Sequence, residues 1–226
     1  MTSTPPKART REGLRSREPS VRSFPGFLAL VAALALGAAA PRAAWSAESA
    51  AAAVVEKTTS SAIAILVDPS LSTEAKRQRV EDVVLRSIDF ETLSRLVLAR
   101  NWSRFDERQR VEFMELFKNH LSMTYGRNVE SYKNEKVQIA GERLENGGDT
   151  TVKTKVVRGG NHDILVDYRL RRKDGAWKII DVVIEGVSLV SNFRSQFQDV
   201  VSNGGPERLL ALLREKNARG EALKTS

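Results

Sequence analysis

Residues 164–186 read ILVDYRLRRKDGAWKIIDVVIEG, and this stretch decides the fold. Ile164, Val166, Tyr168 and Leu170 recur at every second position, with Asp167 and Arg169 between the last three, which predicts a β-strand with one buried face and one solvated face. Asp174-Gly175 is the sequence of a tight hairpin turn. The run Trp177–Ile184 is then apolar at both parities, which predicts a second strand that is central in its sheet and covered on both sides.

Two further strands are predicted upstream of this hairpin. Val137 and Ile139 alternate with polar residues, as do Val152 and Val156, and glycine-containing turns separate the segments. Four consecutive strands joined by short turns predict an antiparallel meander.

Helices are predicted on both sides of the strands. Upstream they span roughly residues 48–66 and 73–88, the second capped by Ser72, followed by one capped by Asp89 and one that starts at Asp106 with a capping box to Gln109. Downstream, one helix follows Gly186, and after Gly204-Gly205-Pro206 a last helix ends at Lys216. Helices, then strands, then helices predict an α+β fold: a twisted, mainly antiparallel four-stranded sheet with helices packed around it.

The N-terminal part has the organisation of a secretory signal. A basic segment precedes the run FLALVAALALGAAA at residues 27–40, which is short for a membrane span, and small residues follow. We expect a signal peptide over residues 1–47 with cleavage near Ser46-Ala47; an uncleaved anchor is the alternative. The mature domain is then expected over residues 48–216, with a polar tail at 217–226.

Composition excludes several classes of function. Seven of the 36 basic and two of the 28 acidic residues precede Glu48, which leaves a net charge of only +3 for the rest of the chain and does not suggest a nucleic-acid-binding surface. Without cysteine, thiolate chemistry, disulfides and a lipoprotein anchor are excluded. His120 and His162 lack metal-ligand spacing, and no nucleotide or nucleophile-elbow motif occurs. We therefore predict no enzyme, no cofactor and no metal.

Three charged residues near the end of the sheet could matter. Asp181 interrupts the apolar strand, Glu185 ends it, and Arg194 lies on the next helix. A carboxylate in such a position is costly unless it is paired. Arg194 is expected to bind one of the two carboxylates and lock the helix to the sheet; a head-group contact at a pocket mouth and a paired-carboxylate hydrolase are the alternatives.

Apolar residues offer the remaining candidates for a site. They are found on one face of two predicted strands and along the helix that starts at Asp106. Periodicity does not distinguish a filled core from a lined cavity, and composition alone favours a core. The candidates are Phe113, Phe117, Leu121, Tyr125, Val152, Val156, Ile164, Val166, Tyr168 and Leu170.

A resemblance to a known family favours the cavity. The segments VDYRLR (166–171), WKIIDVVIEGVSLV (177–190) and NFRSQF (192–197), with LARNW (98–102) upstream, resemble the MlaC family of periplasmic phospholipid-binding proteins, also called toluene-tolerance proteins. The resemblance covers roughly residues 50–216. Ala99 is a departure, because the family often has glycine there.

The resemblance implies a function and partners. It implies a sheet and helices that enclose an apolar cavity for acyl chains, so that the ten candidates above would bind lipid. It further implies a carrier that shuttles phospholipid between an outer-membrane lipoprotein complex and an inner-membrane ABC-type transporter with its substrate-binding subunit, and so maintains outer-membrane lipid asymmetry. We expect the carrier to be a monomer. The alternatives are a hopanoid-associated lipid-binding protein of the sister group and an envelope interaction protein without ligand. Few head-group contacts are expected.

Overall fold

The computed structural model describes residues 49–126, 132–159 and 162–223. The predicted signal peptide and its cleavage site lie outside these residues. Five α-helices and five strands occur in the order α1–α4, β1–β5, α5. Their bounds are α1 Ala50–Val67, α2 Thr73–Ser87, α3 Phe90–Leu98, a 3-10 helix Ala99–Arg104, α4 Glu107–Gly126, β1 Lys136–Leu144, β2 Thr150–Val157, β3 Ile164–Lys173, β4 Ala176–Ile184, β5 Val187–Ser188 and α5 Leu189–Arg219.

The helix starts are fixed by side chains that the sequence identifies. The Oγ of Ser72 accepts from the backbone N of Ala75 at 3.2 Å at the start of α2. The predicted capping box before α4 is confirmed: Gln109 N donates to Asp106 Oδ1 at 2.8 Å, and Asp106 N donates to Gln109 Oε1 at 3.0 Å. These bonds satisfy amide groups that a helix leaves unpaired at its N-terminus.

The sheet is an antiparallel meander in the order β1-β2-β3-β4-β5. The predicted α+β fold is confirmed, but the sheet has five strands instead of four. Glu185 and Gly186 both have positive φ, 49° and 82°, so the chain makes a tight hairpin turn there and β5 pairs with the end of β4. The sequence suggested that the sheet ends at Gly186, and the structure shows that it continues into β5.

Strand β4 is not central, which corrects a second expectation. It pairs with β3 along its length, but with β5 only at Val183 and Ile184. The edge that β5 pairs with is covered further along by the end of α2, because Asp89 N donates to Ile179 O at 3.0 Å and Ile88 forms a parallel β-bridge with Ile179. Apolar residues on both faces of β4 are thus explained by helices around a near-edge strand.

The described residues form two hydrophobic cores, and Ile88 packs against both. The larger joins α3, α4 and α5 through a cluster of aromatic rings, in which Phe117 lies 5.0 Å from Phe193 and 5.3 Å from Phe197 between ring centroids. The smaller joins α1 to the sheet. It consists of Ala51, Ala52, Val55, Val152, Leu170 and Ile179.

Helix α1 is, among the described residues, long and apolar enough to cross a membrane by length and composition alone. It carries core contacts, however, since Ala51, Ala52 and Val55 pack on the sheet. Helix α2 lies beside α1 and has no buried residue at all. Lys76 Nζ donates to Leu66 O at 2.7 Å near its start, and Lys178 Nζ donates to Arg86 O at 2.8 Å near its end.

The C-terminal helix extends beyond the predicted end at Lys216. It is kinked at Gly205 (φ 70°), next to Pro206, which confirms the predicted interruption. Residues assigned to a polar tail are partly structural, because Asn217 Oδ1 contacts His120 Nδ1 at 3.0 Å and Leu223 N donates to His120 Nε2 at 3.3 Å. A buried imidazole needs these partners, which holds the end of the chain against α4.

Candidate functional site

A cavity of about 430 Å³ lies between α1, α2, the end of α4 and the sheet. Helix α1 approaches the sheet closely through its alanines, whereas α2 is displaced to the side and packs mainly on α1. The space under α2 is therefore left unfilled. Helix α2 turns one face toward it, from Arg77 at its start to Leu85 near its end.

The lining is predominantly apolar. The helices contribute Val55, Thr58, Thr59, Ala62, Arg77, Val80, Glu81, Val84, Leu85, Leu121, Ser122, Tyr125 and Gly126. The sheet and the helix junctions contribute Ile88, Phe90, Tyr168, Ile179, Val182, Ile184 and Leu189. Most of these side chains are only half-buried, so they border open space and are not packed against one another.

The cavity is charged at one end and apolar at the other. Arg77 and Glu81 lie near the start of α2, where the Arg77 side chain passes Gly126 at the end of α4. Ile88 and Ile179 lie at the other end. From Arg77 to Ile88 the helix rises about 16 Å, at about 1.5 Å per residue. The site is thus an elongated apolar groove with a charged opening.

Few hydrogen-bonding groups point into the groove. Thr58 Oγ1 is satisfied by Val54 O at 2.7 Å and by Ser87 Oγ at 2.7 Å, and Thr59 Oγ1 by Val55 O at 2.9 Å. No residue in the described part of the chain hydrogen-bonds the hydroxyls of Tyr125 or Tyr168, and burial raises the pKa of both. These phenols are therefore neutral donors available to a ligand.

The predicted lining residues separate into four groups. Leu121, Tyr125 and Tyr168 line the cavity. The sheet candidates do share one face, because Val152 pairs with Tyr168, Val156 with Ile164, and Leu170 with Ile179. Lipid contact by any of them stays a prediction.

The other candidates do not line the cavity. Val152 and Leu170 are fully buried beneath α1, since its alanines let the helix descend onto the sheet there. Phe113 and Phe117 fill the aromatic core, with ring centroids 5.5 Å apart. Val156, Ile164 and Val166 share the face but lie outside the lining.

Sequence reasoning missed the contribution of α2. The pattern placed Val80, Val83, Val84 and Ile88 on one apolar side, and the structure places all of them except Val83 at the cavity. A helix with an apolar stripe but no large aromatic residue was the available signal. Whether such a stripe packs tightly or borders a void depends on how the neighbouring helices meet, which periodicity does not encode.

The expected pairing of Arg194 with a carboxylate is wrong. Arg194 donates from Nε and Nη2 to Leu96 O, at 2.9 and 2.7 Å, and so satisfies a carbonyl at the end of α3. Among the described residues it contacts neither carboxylate, and it does not line the cavity. It still ties α5 to the rest of the fold, but through α3 and not through the sheet.

The two carboxylates serve the backbone. Asp181 is 4% exposed and accepts from Ser188 Oγ at 2.6 Å and from Val190 N at 3.1 Å, which fixes the start of α5. Glu185 is exposed, and its Oε1 accepts from Leu165 N at 2.5 Å. Neither lies in the lining, so the geometry does not bring them together as a catalytic pair.

The fold and the site define a class: an α+β protein with an apolar groove, charged at one end, between helices and an antiparallel sheet. The sequence model of the MlaC protein family matches residues 56–215. The chain belongs to the MlaC family.

Individual relatives agree with this assignment. The chain is 26% identical to the toluene tolerance protein ttg2D of Pseudomonas putida over 119 residues, which cover 52% of this chain and 55% of the relative. It is 23% identical over 143 residues to the intermembrane phospholipid transport system binding protein MlaC of Haemophilus influenzae, covering 62% and 67%. The match therefore spans about half to two thirds of these relatives.

A solved structure shares the fold. It is that of a phospholipid-binding protein from Ralstonia solanacearum in complex with a phospholipid, with a TM-score of 0.68 and 28% sequence identity. The similarity covers 75% of this chain and 98% of that one.

Proposed function

We propose that this protein is a periplasmic phospholipid carrier that holds acyl chains in the groove under α2. The observation that carries the proposal is the cavity of about 430 Å³ with apolar walls and charge at one end only. This volume lies within the range of about 300–1,000 Å³ that is typical of ligand sites. The phospholipid bound by the Ralstonia relative supports the same ligand class.

The energetics suit a carrier. Exposing one methylene to water costs about 0.8 kcal/mol, so a two-chain lipid with about thirty methylenes would cost on the order of 20 kcal/mol to transfer unaided. An apolar groove that replaces the contacts of the bilayer removes most of this barrier. The charged opening keeps a polar head group in water.

The same reasoning supports transport without chemistry. A hydrolase needs a nucleophile within hydrogen-bond reach of a base. Among the described lining residues, the hydroxyls of Thr58 and Thr59 bond backbone carbonyls or another hydroxyl, and no histidine lines the groove. We therefore propose a monomeric shuttle between an outer-membrane lipoprotein complex and an inner-membrane ABC-type transporter with its substrate-binding subunit, which maintains outer-membrane lipid asymmetry.

A matched pair of variants tests the carrier function. Ala62 lines the groove, whereas Ala64, two residues further along α1, is exposed. Ala62→Trp places an indole in the groove, and Ala64→Trp places the same indole in solvent. The wild type and Ala64→Trp, purified from the periplasm, should carry phospholipid in native mass spectra, and Ala62→Trp should carry much less.

The folded state of both variants is checked by circular dichroism and thermal melting. Equal lipid content in Ala62→Trp and Ala64→Trp would reject the groove as the binding site. Wild-type protein that carries no lipid when it is purified from the periplasm would reject the carrier function itself.

A further inference from the structure

The opening of the groove carries a specific arrangement of charge. Arg77 and Glu81 are one turn apart on α2, and among the described lining residues they are the ionisable side chains that carry charge at neutral pH. Both are partly exposed, with side-chain exposures of 36% and 30%. They are therefore accessible to a head group and to solvent.

Arg77 is oriented by a third residue. Glu74 accepts from its Nε at 3.0 Å and from its Nη2 at 2.6 Å, so one edge of the planar guanidinium is occupied. The remaining nitrogen, Nη1, lies 4.0 Å from Glu81 Oε2, which is too far for a hydrogen bond. The Glu74 pair thus holds the guanidinium in place and leaves the donors of Nη1 available.

Nη1 has no acceptor within hydrogen-bonding distance among the described residues, so its donors can reach a ligand oxygen placed beside it. A phosphate oxygen prefers about 2.7–2.9 Å from a charged nitrogen donor, and an arginine can offer parallel N–H groups to it. An ammonium group attached to the same phosphate by a short chain would reach the Glu81 carboxylate. The rest of the groove is apolar, so a lipid whose acyl chains lie under α2 would place its phosphate beside Arg77 and Glu81.

The total charge at the opening decides between head groups. One guanidinium stands beside two carboxylates, Glu74 and Glu81, so the local net charge is negative. A head group with a net negative charge meets this opening unfavourably, whereas a zwitterion matches it at both ends.

We propose that Arg77 and Glu81 form a head-group subsite that selects zwitterionic, amine-bearing phospholipids over anionic ones. This inference rests on the proposed carrier function, and it assigns the few head-group contacts expected from the sequence to two named residues. Arg77 binds the phosphate diester, and Glu81 binds the ammonium group.

The test uses vesicles of equal parts phosphatidylethanolamine and phosphatidylglycerol with identical acyl chains. The full-length mature protein is incubated with them at low salt, separated by centrifugation and extracted, and the two lipids are quantified by mass spectrometry. Glu81→Gln is compared with Asp82→Asn, which removes the same charge from an exposed position of the same helix. Arg77→Gln is compared with Arg79→Gln, also exposed on α2.

The wild type and both control variants should favour the ethanolamine lipid. Since partly exposed ion pairs are modest in strength, Glu81→Gln should shift the lipid ratio toward the glycerol lipid by about two- to fivefold, and Arg77→Gln should lower uptake of both lipids by about two- to fivefold. High salt should reduce the wild-type preference, because it screens exposed charges.

The outcomes distinguish the head-group subsite from the carrier function. Lipid uptake by the wild type without preference, or equal ratios for Glu81→Gln and Asp82→Asn, would overturn the subsite and leave the carrier function standing. Absence of any lipid uptake by the wild type would overturn both.

Discussion

Asp181 holds the start of α5 against the sheet, and its removal should destabilise the protein strongly. The carboxylate is 4% exposed and accepts from Ser188 Oγ and Val190 N. Each hydrogen bond to a charged group contributes about 1.5–3 kcal/mol, and a buried N–H left unpaired adds to the loss. Asp181→Ala should therefore lower the free energy of unfolding by about 3–5 kcal/mol.

Asp181→Asn provides the internal comparison. Its amide oxygen can still accept from Val190 N, and its amide nitrogen can donate to Ser188 Oγ, so we expect a loss of only about 1–2 kcal/mol. Asp167→Ala is the control, because Asp167 lies on the same sheet face and makes no hydrogen bond or ion pair with the described residues. Its cost should stay below about 0.5 kcal/mol.

Urea unfolding followed by circular dichroism measures all three variants. The slope of the transition should be unchanged while the midpoint moves, since the surface exposed on unfolding is similar. Equal midpoints for Asp181→Ala and Asp181→Asn, or a loss below about 1 kcal/mol for Asp181→Ala, would refute the argument that two buried bonds to this carboxylate fix α5.

Three further changes follow from other positions. Ala99 has φ 48° and ψ −123°, a backbone conformation that costs a residue with a Cβ about 1–3 kcal/mol. Ala99→Gly should therefore raise the free energy of unfolding, measured in urea melts, by about 1 kcal/mol. A decrease would show that the position prefers a side chain. Burial, and the nearby charge of Lys216, lower the pKa of His120, so this histidine binds a proton more readily in the unfolded chain than in the folded protein. The free energy of unfolding should therefore keep its full value above about pH 6.5 and fall as the pH drops below that. In melts at pH 5–7, His120→Gln should reduce this pH dependence, whereas His162→Gln, at an exposed position, should leave it unchanged. Phe117→Ala should lower the free energy of unfolding by about 3–5 kcal/mol, because it leaves a cavity in the aromatic core. The fraction that remains folded should still carry lipid. Loss of lipid without loss of stability would mean that Phe117 faces the groove.

The sequence was informative where the periodicity is strict. Alternation along β2 and β3 identified which side chains share a face, because a strand has a period of two and a slip of one residue would expose the whole set. The capping residues before α2, α3 and α4 were likewise identified, since a hydroxyl or carboxylate bonds amides at a fixed distance along the chain.

The environment of Asp181 could not be obtained in this way. The pairing of β3 with β4 shifts between Arg169 and Leu170, where Ile180 is an extra residue. The bulge turns Ile179 and Val182 to the groove face and leaves Asp181 on the other, beside the start of α5. A bulge changes the parity of every residue beyond it, and no local pattern in this strand predicted it.

The groove itself was equally beyond the sequence. Val152 and Leu170 share a face with Tyr168, yet only Tyr168 borders open space, because α1 descends onto the first two and not onto the third. The small side chains of Ala51 and Ala52 determine that contact, and their consequence for the neighbouring volume is a tertiary property.

Helix α2 contributes no buried residue and is anchored chiefly near its ends, by Lys76 and Lys178 and by the pair of hydroxyls at Thr58 and Ser87. The face of α2 that borders the groove therefore has few packing partners within the protein. In the proposed carrier, a bound acyl chain would act as a removable part of the hydrophobic core: it would complete the packing of α2, and its release would expose that face of the helix again. Under this proposal, the local stability of α2 would depend on whether lipid is bound.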